Sequence, residues 1–171
     1  MARPTHPERD AYVDGGLGDA LYEPLPLRSA SYRQGPFRLV LEHRSGTVDD
    51  WHLTHDPAGG FTGMAWRSAP ATINAFVERH ASTSTSPESR FVKVLTVQQR
   101  DATGVDVLRG LSLRRIGDRA VESTLTSRAE LIDALGDLFG LDLAPVADEA
   151  LTALWARVHA AHEAWEVAGR L

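Results

Sequence analysis

Apolar and polar positions alternate most regularly in "PFRLVLEH", where Phe37, Leu39 and Leu41 share one face and Arg38, Val40 and Glu42 the other. A period of two is that of a half-buried strand. The stretches "VDDWHLTHD" and "GFTGMAWRS" continue in the same manner around the turn signal "DPAGG". The period then lengthens. In "PATINAFVERH" Pro70 suits a first turn and Ile73, Phe76 and Val77 share a face, which predicts a short helix. "ASTSTSPES" reads as a loop leading into a strand over "RFVKVLTVQQ". A hairpin follows, "DVLRGLSLRRIG" and "RAVESTLTS", turned by Gly117-Asp118. "SRAE" at 127–130 is a capping box, and its helix runs through Leu131, Leu135 and Leu138 to a stop near Gly140. A last helix from about Val146 carries Leu151, Leu154, Trp155, Val158, His162 and Trp165 as one stripe, which needs a cover.

Strands first and helices last predict an α+β fold: an antiparallel β-barrel or sandwich, then an α/β lid and a C-terminal helix. The divisions expected are a loosely ordered start at 1–11, a β-barrel-like domain at 12–90, a lid domain at 91–143 and the helix at 144–171. A chain of 171 residues that is 43% apolar and 24% charged has the composition of a globular protein. Its net charge of −5 gives no basic footprint for nucleic acid. No apolar run reaches membrane-spanning length, and "MARPTHPERD" lacks the apolar core of a secretory signal, so the expected compartment is the cytoplasm. Cysteine is absent, which removes disulfides, thiolate metal sites and a cysteine nucleophile from this chain.

Seven histidines raise the question of a metal. His52 and His55 are three apart in a strand and point to opposite faces. His159 and His162 share a helix face, but "HAAHEAW" is not H-E-x-x-H and offers no third ligand, so no metal is expected. The hydroxyls of "STSTSPES" have no activating base and no G-x-S-x-G elbow beside them, and such tracts bond their own backbone. In "DAYVDGGLGDALYEPLPL", residues 10–27, Asp14 stands against glycines at 15, 16 and 18, a spacing that fits no phosphate-binding loop. Read from the residues alone, two alternatives stand. Asp14 faces His6 across a tight turn as an orienting acid, or it is a turn aspartate beside a polar tail.

Together these segments resemble the arylamine N-acetyltransferase family. "YVDGGLGDA" is similar to the family's V-D-V-G-F-G turn, whose aspartate completes a Cys-His-Asp triad. Asp14 then falls on the triad acid, Leu17 on the acceptor-pocket phenylalanine, and Gly16 and Gly18 on its flanking glycines. "PLPLRSASYRQGPFRL" resembles the next family segment. "NAFVERHASTSTSPESRF" resembles the Ser-Thr-Ser-Pro-x-Ser-x-Phe motif at Phe76, Ser84, Thr85, Ser86, Pro87, Ser89 and Phe91, with His80 where the family has asparagine. "LRGLSLRRIG" and "TLTSRAELIDALGDLFGLDL" resemble the family's end, so the resemblance covers 12 to about 143. The family's Arg-Gly-Gly-Arg-Cys motif has no counterpart. Thr5-His6 offers a triad histidine, at a shorter spacing to Asp14 than the family's.

The resemblance implies acyl transfer from acetyl-CoA to an arylamine or other aromatic amine. In it Asp14 orients a histidine such as His6, Leu17 lines the acceptor pocket, and Gly16, Gly18, Ser86 and Ser89 border coenzyme A. Without the thiol, the isolated chain is expected to be inactive, as a truncated product or as one half working with a partner chain that supplies the missing domain. The alternative is a non-catalytic module that binds coenzyme A or a partner protein. A third expectation is an exposed apolar face that drives self-association.

Overall fold

The structure, a computed structural model, describes residues 10–46, 50–117 and 119–169. The chain divides into two compact units. One is formed mainly by the chain up to Ile73 together with 100–105 and 116–119, and the other by the remainder.

In the first unit β1 (Ala11–Tyr12) pairs antiparallel with β2 (Leu25–Pro26), with Tyr12 opposite Leu25. Leu27 N donates to Asp10 O at 2.9 Å, so residues 13–24 form a loop tied at its base. Then β3 (Ala30–Gln34), β4 (Phe37–His43), β5 (Trp51–Thr54) and β6 (Gly63–Trp66) make an antiparallel meander in chain order. The expected alternation holds in β4, where Phe37, Leu39 and Leu41 are wholly buried. Leu39 and Leu41 join Leu25, Trp51 and Leu53 in one apolar cluster. Gly35 turns the first hairpin at φ 56°, and a Cβ there would meet Ala102 O at 2.5 Å, so only glycine fits. The sheet is open, with β3 and β6 as its outer strands. A closed barrel, one of the two forms expected, is not formed among the described residues. Four short strands are too few to curl round a filled interior.

The second unit begins with a 3-10 turn that leads from Ile73–Phe76 into α1 (Val77–Thr85). Next come α2 (Arg90–Lys93), β7 (Thr96–Arg100), β8 (Gly104–Arg109), β9 (Ser112–Gly117) and β10 (Val121–Thr124), the strands forming a sheet in the order β10-β9-β8-β7. Three local expectations are corrected here. Ser82 to Thr85 are helical rather than loop, because Thr83, Ser84 and Thr85 give their hydroxyl hydrogens to Arg79, His80 and Ala81 carbonyls one turn back. Arg90–Lys93 is helix rather than strand, because Ser89 caps it by accepting from Phe91 N at 3.2 Å. "DVLRGLSLRRIG" is two strands, not one, folded back at Gly110 with φ 61°.

The capping box forms. Ser127 Oγ accepts from Glu130 N at 3.2 Å, while the Glu130 carboxylate reaches past the cap to Thr126 N at 2.6 Å. It opens α3 (Arg128–Asp133), which widens into a π turn over Ala134–Leu138, closed by Phe139 N on Ala134 O at 3.0 Å. The wider turn rotates the face, so Leu131, Leu135 and Phe139 are buried and Leu138 is exposed. Finally α4 (Asp148–Gly169) lays Leu154, Trp155 and Val158 on the cluster of Leu108, Leu111, Leu125, Leu131 and Leu135, while Trp165 stays exposed. No helix among the described residues is long and apolar enough to cross a membrane.

Candidate functional site

Asp14 sits half-buried near the start of the 13–24 loop. Its Oδ1 accepts from Gly16 N at 2.9 Å and Leu17 N at 3.1 Å, an Asx turn. Its Oδ2 accepts from the Tyr12 hydroxyl at 3.0 Å. The carboxylate is therefore fixed by its own neighbours, and its partners among the described residues do not include a histidine. His6 lies outside the described residues. Leu17 and Tyr22 are exposed, as is Val13. Gly16 gives its N–H to Asp14, so that donor is not spare for a phosphate.

The loop is held by Asp19 and Gln34, which the sequence reading did not single out, and by His55, which it weighed only as a metal ligand. Asp19, Gln34 and His55 are all buried. Asp19 accepts from Gly60 N, and the His55 imidazole lies between Asp19 O at 3.1 Å and Asp56 O at 3.0 Å. Gln34 accepts from Tyr22 N at 2.8 Å and donates to Glu23 O at 2.7 Å, completing both backbone groups that the loop turns inward. Arg100 donates to Gln34 O at 2.7 Å and lays its guanidinium 4.5 Å from the centre of the Phe37 ring. Burial draws the Arg100 pKa down from its ordinary value, and the Asp19 and Asp101 carboxylates oppose that shift. One sequence signal pointed here. The glycine pair of "DPAGG" includes Gly59, where a Cβ would strike the His55 ring at 2.1 Å.

Tyr12 rests on Trp66, with ring centres 4.4 Å apart and planes 17° from parallel, and Trp66 stacks in turn on Trp51. Burial first, and then the Asp14 charge, push the Tyr12 phenol well above its ordinary range. Beside Asp14 lies a hollow of about 70 Å³ lined by Val13, Asp14, Leu21, Tyr22, Glu23 and Pro24. Pockets for drug-sized ligands run to roughly 300–1,000 Å³, so this hollow alone does not hold an aromatic acceptor.

In the second unit Ser86 closes α1 and Ser89 opens α2. Ser86 Oγ accepts from Glu88 N at 3.2 Å and keeps its own hydrogen to give. Ser89 Oγ donates to Thr83 O at 2.6 Å. Lys93 Nζ lies 2.6 Å from the Glu88 carboxylate and offsets its charge. Neither α1 nor α2 has a buried residue, and Phe76, Val77 and Phe91 are exposed.

The model of a family described as N-acetyltransferase matches residues 5–148. No curated protein sequence matches the chain. Among solved structures, the arylamine N-acetyltransferase of Nocardia farcinica is 27% identical at a TM-score of 0.67, over 82% of this chain and 50% of that one. That of Mycobacterium smegmatis is 26% identical at 0.66, with the same coverage. The Mycobacterium marinum enzyme, solved in complex with CoA, is 22% identical at 0.65, over 79% of this chain and 49% of that one, which shows a shared fold. The chain thus spans about half the length of these relatives. With a family model over most of its length and matching structures over four-fifths of it, the chain belongs to the arylamine N-acetyltransferase family.

Proposed function

We propose that this chain supplies the acid and lid portions of a transferase that moves an acetyl group from acetyl-CoA to an aromatic amine, and that the thiol comes from outside these 171 residues. The observation that carries the reading is the fixed Asp14 carboxylate, aligned by two backbone donors and one hydroxyl on an accessible loop. In the reaction a histidine held by Asp14 takes the thiol proton; His6 is this chain's own candidate. The thiolate attacks the thioester carbonyl, the coenzyme thiolate leaves, and the amine then displaces the enzyme thiol. Leu17 borders the acceptor. Ser86 donates to the coenzyme, with Ser89, Gly16 and Gly18 shaping its surroundings. Of these, Ser86 has the hydroxyl hydrogen least committed to the backbone.

A partner chain carrying the thiol is supported by the exposed Phe76, Val77 and Phe91, at and beside two helices that have no fully buried residue. The alternative, a module that only binds coenzyme A, rests on the same Ser86 and Ser89. One experiment separates them. The protein is incubated with acetyl-CoA and an aromatic amine, alone and with the thiol-bearing helical domain of a relative, beside a calorimetric titration with coenzyme A. No acetylation alone, acetylation with the added domain, and its loss in Asp14→Asn are expected. Acetylation by the chain alone would overturn the need for an outside thiol. Heat from coenzyme A without acetylation under any condition would leave the binding module.

A further inference from the structure

We infer that Tyr12 is a positioning residue for Asp14, and that its hydroxyl sets which way the Asp14 carboxylate faces. The inference rests on the reading of Asp14 as the orienting acid. An Asx turn alone fixes one carboxylate oxygen, Oδ1, through Gly16 N and Leu17 N. The second oxygen is free to rotate with the plane of the group unless something holds it. Tyr12 holds it, at 3.0 Å.

The hydroxyl has two neighbours, Asp14 Oδ2 and Met64 Sδ, the latter at 2.8 Å. It has one hydrogen, and a charged carboxylate is a far stronger acceptor than a thioether. The hydrogen therefore goes to Asp14, and the Met64 sulfur packs against the phenol oxygen. The ring cannot follow a moving carboxylate, because it is stacked on Trp66, which is stacked on the buried Trp51. Trp51 and Trp66 face each other across β5 and β6. The sheet thus dictates the position of one phenol, and the phenol dictates the free oxygen of Asp14. Oδ2 has a second lone pair, so a histidine N–H can still approach it, from the one direction that Tyr12 leaves open.

Two measurements test this, neither of which needs acyl transfer, so a failure here and a failure of the functional reading are told apart. The first compares Tyr12→Phe, which keeps the stack on Trp66, with Tyr12→Leu, which loses it, by amide hydrogen exchange. Loss of a bond to a charged acceptor is expected to speed exchange at Gly16 and Leu17 about tenfold in Tyr12→Phe, with β4 amides unchanged. A silent Tyr12→Phe beside an altered Tyr12→Leu would mean the ring matters only as packing, and would overturn the inference. The second follows the ring carbon bearing the hydroxyl in labelled tyrosine through an acid titration. The Tyr12 resonance should move as Asp14 takes up its proton, those of Tyr22 and Tyr32 should not, and Asp14→Asn should abolish the movement. Asparagine keeps a side-chain carbonyl for the turn, so that variant retains the loop. A Tyr12 resonance that ignores Asp14→Asn would also overturn the inference.

Discussion

Residues 13–24 are fastened largely by bonds to other parts of their unit, whereas residues 77–93 are fastened by bonds within the segment. Asp19, Gln34, His55 and Tyr12 fasten the loop at three places, Asp14, Asp19 and the Tyr22–Glu23 pair, and three of the four side chains are buried. In α1 and α2 the hydroxyls of Thr83, Ser84, Thr85 and Ser89 bond to carbonyls of the same stretch, and Lys93 pairs with Glu88. On the proposed reading Asp14 is an acid that has to be aimed, and the fold commits a scaffold to its loop. On the same reading 77–93 meets the coenzyme or a partner; it keeps hydroxyls and apolar groups at the surface and holds its own shape.

The contrast is broken most directly at Gln34. Gln34→Ala leaves Tyr22 N and Glu23 O facing inward without partners, and a loss of about 2–3 kcal/mol is expected in chemical denaturation. A loss under half a kcal/mol would mean the loop is held from elsewhere. Ser89→Ala removes a helix cap on the surface, with an expected cost of about 1 kcal/mol confined to exchange of the α2 amides. A global destabilisation from Ser89→Ala would show that 77–93 is tied into its unit after all. The smallest effect is acid sensitivity at Asp56. Donation from Ala58 N and then Arg38 N holds the Asp56 carboxyl below its ordinary range. Its contribution is therefore whole above the ordinary carboxylate pKa and drains as pH falls through the lower folded value. Asp56→Asn should flatten the acid limb of a stability–pH curve, and an unaltered limb would assign the acid loss to other groups.

Much of this was legible in the sequence, and what was not has local physical causes. The β4 alternation and the Ser127 box were read correctly because each is decided by neighbours within a few residues. The helix expected over "PATINAFVERH" forms from Ile73, but its run on to Thr85 and the Arg90–Lys93 helix were misread, because serine and threonine hydroxyls can serve either a loop or a helix, and only the bonds formed decide which. Asp14 was singled out through the glycines that follow it. Tyr12, Asp19, Gln34 and Arg100 were not, and His55 was weighed only as a metal ligand, because their partners lie up to 66 residues away and each is an ordinary residue until the pairing is seen.

The π turn at Ala134–Leu138 has a consequence for how this part of the chain tolerates change. In a regular helix the residue seven positions after Leu131 returns to its face, and that residue is Leu138; here Phe139 returns instead. The wide turn behaves as one inserted residue, absorbed without disturbing the buried face on either side. Deleting one exposed residue of the turn, Asp137 or Leu138, would bring Phe139 to the seventh position and let the helix wind regularly, with its cap and its core contacts intact. A length difference at this point between two related chains is thus a change of winding rather than a change of fold.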